Sequence, residues 1–220
     1  MAKILCLETA TTNCSVAISE NDTLAAVREY NDKGYSHAEK LHVFIQEVLE
    51  ELGLTADQLD AVAVSKGPGS YTGLRIGVSA AKGICFAADL PLISVPTLDA
   101  LARQVEVAEG GHVIPLLDAR RMEVYSKILD HNYQEVRTTA AQVIDDHSFS
   151  DYLDRSDTII IGSGAQKVLD TFPNAQAKFE TDRLPSSKEM IKIAWEKFQA
   201  EDFESVAYFE PYYLKDFIAG

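Results

Sequence analysis

Residues 61–90 bring together, at a defined spacing, the residue types that could do chemistry. Ala61 to Ser65 is an apolar run, Gly67-Pro68-Gly69-Ser70 interrupts it, and Leu74, Val78 and Cys85 then share one helical face. Pro68 cannot donate to a β-ladder, and glycines accept backbone angles that other residues avoid. The stretch therefore reads as strand, turn and helix. A helix that starts at a glycine-rich turn leaves free N–H groups and the positive end of its dipole there, which suits an anion. Gly67, Gly69 and Ser70 are the candidates to hold one. Gly162-Ser163-Gly164, between an apolar run and a second helical segment, is a candidate of the same kind. No G-K-[ST] closes the first turn and it does not read G-x-G-x-x-G, so it is neither a P-loop nor a dinucleotide fingerprint. Three glycines inside the helix, Gly73, Gly77 and Gly83, each cost roughly 1 kcal/mol against alanine. The offsetting benefit is close approach by another backbone, and Gly73, Gly77 and Ala80 line one face for it. That backbone belongs either to the chain's own sheet, the commoner use, or to a second subunit.

Other reactive side chains are scattered. His37 and His42 are five apart and point to different sides of a helix. Cys6, Cys14 and Cys85 lie in apolar contexts without a C-x-x-C and read as small buried hydrophobes. No zinc or other metal site is expected. The 220 residues carry a formal net charge of −14, which argues against this chain holding nucleic acid by itself. Its largest cationic cluster is Arg120-Arg121. With 46% hydrophobic and 25% charged residues the composition is that of a soluble globular protein. No apolar run approaches the roughly 20 residues of a membrane span. The N-terminus lacks a signal-peptide layout. A cytoplasmic protein without membrane contact is expected.

The elements that must position these residues follow from periodicity. Strands are expected over Ile4–Leu7, Cys14–Ser19 and Leu24–Tyr30, with the hydroxyl-rich turn Glu8-Thr9-Ala10-Thr11-Thr12-Asn13 after the first. Ser36-His37-Ala38-Glu39 matches a capping box, and Leu41, Phe44, Ile45, Val48, Leu49 and Leu52 form the stripe of a helix that Gly53 ends. Pro91–Val95 is the next strand, and a helix is expected from Thr97 through Val107. Glu109-Gly110-Gly111 is the best linker, placing one lobe over 1–108 and a second over 112–220, with the tail from about 208 packing back on the first. The second half again begins strand, acidic turn, strand: His112–Leu117, Asp118–Met122, Glu123–Leu129. A further strand over Tyr133–Arg137, helical pieces around 140–154, a strand over Thr158–Ile161, and helices over 165–171 and 186–200 complete it. The repeated opening points to duplication. The N-terminal opening resembles the start of actin-like and sugar-kinase-like folds, in which the first turn approaches a nucleotide phosphate. That resemblance makes Glu8 and Thr9 candidates for a vestigial nucleotide or anion site with Gly67, Gly69, Ser70, Gly162 and Gly164.

Four stretches carry a closer resemblance: I-L-C-L-E-T-A-T-T-N-C-S-V-A-I at 4–18, G-P-G-S-Y-T-G-L-R-I-G at 67–77, L-D-A-R-R-M-E-V-Y at 117–125 and P-Y-Y-L-K at 211–215. In these the chain resembles the bacterial glycoprotease-like family of tRNA threonylcarbamoyladenosine biosynthesis. The resemblance implies an α/β, two-lobed actin-like fold of the sugar kinase, Hsp70 and actin type. It implies a role in modifying the adenosine next to the anticodon of tRNAs that read codons beginning with A. It further implies a catalytic sister subunit, TsaD, that holds ATP and a metal, and a small ATPase subunit, TsaE, of the same pathway. Where the sister carries its His-x-x-x-His metal pair, this chain has Thr97 and Leu101, neither able to replace an imidazole. Glu8 stands where many non-catalytic subunits carry Asp, and the sister also shows Glu there.

Three functions compete. The first is a non-catalytic partner subunit without cofactor, pairing with the catalytic subunit through helices 36–52 and 72–88, dimerising with itself when alone, and meeting tRNA only through the complex. Its partner-binding candidates are Gly73, Leu74, Gly77, Val78, Ala80, Ala81, Leu41 and Val48, and Gly77→Leu is the substitution expected to test them. The second is a nucleotide-dependent phosphotransferase using Glu8 and the glycine turns. The third is a peptidase, for which no nucleophile–base–orienter set is present.

Overall fold

The computed structural model describes residues 1–31 and 37–215. Contacts divide the chain into two units, Met1–Ala100 with Pro185–Tyr213, and Leu101–Leu184 with the residues from Leu214.

The first unit is built on a five-stranded sheet of β1 (Lys3–Glu8), β2 (Asn13–Glu20), β3 (Thr23–Asn31), β4 (Ala61–Gly67) and β5 (Leu92–Pro96), in the order β3-β2-β1-β4-β5. β1, β2 and β3 form an antiparallel meander, and β4 and β5 run parallel to β1. β1 is apolar at successive positions because both its faces are covered. Leu5 and Leu7 join Leu41, Ile45 and Val48 of α1 (His37–Glu51) and Val78 and Ala81 of α2 (Tyr71–Ala88). Ile4 and Cys6 point the other way, to Met190, Ile191 and Ala194 of the helix Ser187–Gln199. This last helix starts 91 positions after the end of β5 by sequence number, yet it belongs to the first unit. The sequence puts the second lobe at 112–220, with only the tail from about 208 expected to pack back on the first. The second face of the first sheet explains the difference, since its apolar side chains need a cover that α1 and α2, both on the opposite face, do not supply.

The second unit repeats the plan. Its strands are β6 (His112–Asp118), β7 (Glu123–Asp130), β8 (Glu135–Val143), β9 (Thr158–Ile161) and β10 (Lys178–Glu180), in the order β10-β9-β6-β7-β8. β6, β7 and β8 form the meander, and β9 and β10 are parallel to β6. Ile114, Leu116, Val124 and Ile160 pack with Phe149, Leu153, Ala165 and Val168 of the short helices α4 (Ser150–Leu153) and α5 (Ala165–Thr171). The duplicated α/β architecture is the actin-like type expected.

Three local expectations change. The helix from Thr97 stops at Ala102 (α3), because Gln104 N and Val105 N close tight turns onto Leu101 O and Ala102 O, and Tyr133 Oη binds Val105 O at 2.7 Å. Residues 140–143, read as the start of helical pieces, extend β8, where pairing with β7 overrides the helix preference of Ala140 and Ala141. β10 carries no signal beyond a single aromatic residue. The capping serine at 36 lies outside the described residues; helix Ser187–Gln199 (α6) is capped by Ser186, whose Oγ accepts from Lys188 N.

Candidate functional site

The turn and helix singled out above are closed by the chain's own first loop. Ser70 caps α2, its Oγ accepting from Gly73 N at 3.2 Å, and Ser70 N donates to Ala10 O at 2.7 Å. Thr9 Oγ1 donates to Gly73 O at 2.8 Å. A Cβ on Gly73 would stand 2.1 Å from Thr9 O, one on Gly77 2.3 Å from Thr9 Oγ1, and one on Gly69 2.4 Å from Ala10 O. Gly67, at φ +107°, faces Tyr212, whose O would be 2.7 Å from its Cβ and whose N donates to Lys66 O at 2.7 Å. The close approach that Gly73 and Gly77 permit is thus made within the chain. The space over Gly67, Gly69 and Ser70, where an anion was a candidate, is taken by Thr9, Ala10 and Tyr212. The second glycine turn behaves alike: a Cβ on Gly162 would be 2.3 Å from Leu116 O, and one on Gly164 3.0 Å from Leu116 Cβ.

Glu8, the acidic candidate, is fully buried at the end of β1. Its Oε1 accepts from Ala10 N at 2.6 Å, while Oε2 has no partner among the described residues. Burial pushes its pKa from 4.5 up to about 7, against the pull of Ala10 N and the Ser65 hydroxyl, and the Glu189 carboxyl adds repulsion. A buried carboxyl with no cation beside it among the described residues is a poor place for a phosphate. The cysteines are free and buried, and burial raises Cys6 to about 12 and both Cys14 and Cys85 to about 11, so they stay protonated and inert. Among the described residues, no cluster of three or more His, Cys, Asp or Glu is placed to hold a metal ion. No helix among them is long and apolar enough to cross a membrane.

The partner-binding candidates separate by face. Leu74, Val78 and Ala81 of α2 and Leu41 and Val48 of α1 are buried against the sheet, at most 4% exposed. They are core, not contact surface. The outer side of α2 carries Thr72, Ile76, Ser79, Gly83, Phe86 and Ala87, and sequence reasoning did not pick out this stripe. Its signal was present in Gly83, the one helix glycine off the line of Gly73 and Gly77. A Cβ on Gly83 would meet nothing within 4 Å among the described residues, and Phe86 is 86% exposed. Between α1 and α2 lies an open groove of about 530 Å³ in which Ala38, Ile76, Ala80, Gly83 and Ile84 are joined by the polar His42, Arg75 and Ser79. Of the eight candidates only Ala80 reaches it. Beside the groove the tail crosses α2: Lys82 Nζ donates to Ala207 O and Phe209 O at 3.1 Å, Arg75 Nε donates to Tyr213 Oη at 3.2 Å, and the guanidinium lies 4.1 Å from the Tyr71 ring centroid.

The family model of tRNA N6-adenosine threonylcarbamoyltransferase (TsaD) matches residues 32–216. The chain belongs to that family. Within it, the chain falls in the TsaB/YeaZ branch. It is 28% identical to the tRNA threonylcarbamoyladenosine biosynthesis protein TsaB of Haemophilus influenzae over 223 residues, 97% of this chain and 93% of that one. The solved structure of YeaZ from Pseudomonas aeruginosa superposes with a TM-score of 0.83 at 25% identity, covering 97% of this chain and all of that one. The tRNA N6-adenosine threonylcarbamoyltransferase of Bacillus thuringiensis is 39% identical over 88 residues, 34% of this chain and 26% of that protein.

Thr97 and Leu101, the positions at which the resemblance implied histidines in a sister subunit, are packing residues in this chain. Thr97 is fully buried and its Oγ1 accepts from Gly67 N at 3.2 Å. Leu101 is fully buried as well, its Cδ2 standing 2.6 Å from where a Cβ on Gly162 would be.

Proposed function

We propose that this chain is the accessory subunit in forming threonylcarbamoyladenosine next to the anticodon of tRNAs that read codons beginning with A. It contributes no chemistry of its own. It pairs with a homologous TsaD-type catalytic subunit through the groove between α1 and α2, and with a second copy of itself when that subunit is missing. TsaE joins the same assembly, and tRNA is met only there. The observation that carries the pairing is Gly83. Gly73 and Gly77 are accounted for by Thr9 inside the chain, whereas Gly83 accepts the helix penalty with none of the described residues approaching it. An open glycine in this groove, beside an exposed phenylalanine, is the shape another helix would fill. Thr97 and Leu101 in the sister's histidine positions support the non-catalytic part. The phosphotransferase alternative has less behind it, since Thr9, Ala10 and Tyr212 fill the space over the glycine turn that a nucleotide phosphate would need.

Reconstitution tests this. Threonylcarbamoyl transfer to a tRNA transcript is measured with the chain alone, with the catalytic subunit alone and with both. Transfer is expected only with both, and the purified chain with magnesium is expected to turn over no ATP. ATP hydrolysis by the chain alone, or transfer undiminished without it, overturns the proposal.

A further inference from the structure

The β6–β7 hairpin ends in two arginines with an uncommon backbone. Arg120 and Arg121 have φ of +69° and +49°. Consecutive positive φ values suit glycine or asparagine, and arginine has no short polar side chain to hydrogen-bond locally in compensation. The turn around them is firmly held. Asp118 Oδ1 accepts from Arg120 N at 2.6 Å and from Lys167 Nζ at 2.8 Å, and Asp118 N donates to Ser163 Oγ at 3.1 Å. Ala119 N donates to Glu123 O at 3.0 Å, and Glu123 N to Arg120 O at 3.1 Å. Both carboxylates of the turn are engaged by lysines, Asp118 by Lys167 and Glu123 by Lys215. The two guanidiniums are exposed, and among the described residues none accepts a hydrogen bond from them. Two adjacent, unpaired cations thus project on a strained tip from a chain whose formal net charge is −14. Strain of this sort persists where surroundings impose it and gathers at ligand contacts.

We infer that Arg120 and Arg121 contact the phosphodiester backbone of RNA held in the assembly. This rests on the accessory role proposed above. A protein carboxylate is recognised best in a concave, desolvated surround. The tip offers none, being convex and exposed from Asp118 to Met122 apart from the half-buried Ala119. A phosphate backbone needs no enclosure and is gripped by charge and forked donors. Two contacts are too few to hold RNA against the acidity of this chain, so the arginines steer and register RNA that the catalytic subunit binds.

The test uses the assembled complex of this chain with the catalytic subunit and an unmodified tRNA transcript. Affinity is titrated between 50 and 200 mM salt, on the order of the range where phosphate contacts dominate. The parent is compared with Arg120→Asn/Arg121→Gly and with Arg120→Lys/Arg121→Lys. The Asn/Gly variant suits the backbone, so its melting temperature is expected at or above the parent's. Its affinity at about 0.1 M salt is expected to fall about tenfold, and the slope of log K against log salt to shrink by roughly 1.5, the share of two phosphates. The Lys/Lys variant should keep the slope. Subunit association, followed by sedimentation, should be equal in all three. An unchanged salt slope in the Asn/Gly variant overturns the inference while leaving the accessory role standing. Unchanged RNA affinity with weakened subunit association overturns it in favour of an acidic protein contact. If the parent subunits do not associate, both readings fall.

Discussion

Glu8 shows at the residue scale what burial does to a group the sequence marked as a binding candidate. Its carboxyl is fully enclosed, has no cation beside it among the described residues, and burial pushes its pKa from 4.5 up to about 7. The folded protein therefore holds this proton more tightly than the unfolded chain does. The resulting stability is fully present below about 4.5 and is lost as pH rises through about 7. A difference of this size is worth up to about 3 kcal/mol. Glu8→Gln keeps an oxygen for Ala10 N and removes the charge. Denaturant unfolding is expected to show little difference from the parent at pH 5 and a gain of about 2–3 kcal/mol for the variant at pH 8. A variant less stable than the parent at pH 8 would mean that the ionised carboxylate is held by something the described residues do not contain. The identity of Glu8 was legible in the sequence, but its environment was not, because the Ser65 hydroxyl of β4 and the Glu189 carboxyl of α6 that act on it lie 57 and 181 positions away by sequence number.

Helix α2 separates its glycines by direction at the scale of the element. Gly73 faces a backbone carbonyl that cannot yield, whereas Gly83 faces open space. Gly73→Ala is expected to cost about 2–3 kcal/mol or more, the range of overpacking against an unyielding neighbour. Gly83→Ala is expected to stabilise the monomeric chain by up to about 1 kcal/mol through helix propensity alone. Urea titrations at a concentration where the chain is monomeric check both, and equal effects would contradict the two environments described. The helix itself was readable from Leu74, Val78 and Cys85, because periodicity is local. Which side of it meets the sheet was only half readable: Gly73 and Gly77 were seen as one stripe, but periodicity does not say whether the approaching backbone is the chain's own. Boundaries set by distant partners were missed for the same reason. α3 ends where Tyr133 takes the Val105 carbonyl, and β8 outruns its helix-forming alanines because β7 lies alongside.

The duplication was legible at the scale of the molecule, since each half opens with the same strand, acidic turn and strand, and each sheet has the same meander followed by two parallel strands. The return of α6 to the first unit was not legible, because an amphipathic helix does not announce which sheet it covers. That sheet is covered on both faces by the chain's own helices, so the proposed pairing would use the outer surfaces of α1 and α2. Gly77→Leu, the substitution the sequence favoured, cannot test this. A Cβ at 77 already meets Thr9 Oγ1 at 2.3 Å, so the variant would damage the fold before it reached a partner. Gly83→Arg makes the separation. Its Cβ enters open space and arginine is a good helix former, so the melting temperature of the isolated chain should hold or rise. The long side chain would occupy the groove beside Ile76, Ala80 and Ile84 that a partner helix is proposed to fill. Overpacking of about 1–3 kcal/mol corresponds to roughly tenfold to hundredfold weaker association with the catalytic subunit, read by titration calorimetry. Threonylcarbamoyl transfer at limiting subunit concentration should fall in parallel and recover when the variant is supplied in excess, because the substitution touches association and no reacting group. Unchanged affinity in a normally folded Gly83→Arg chain would place the interface away from α1 and α2 and leave the open glycine without a partner to explain it.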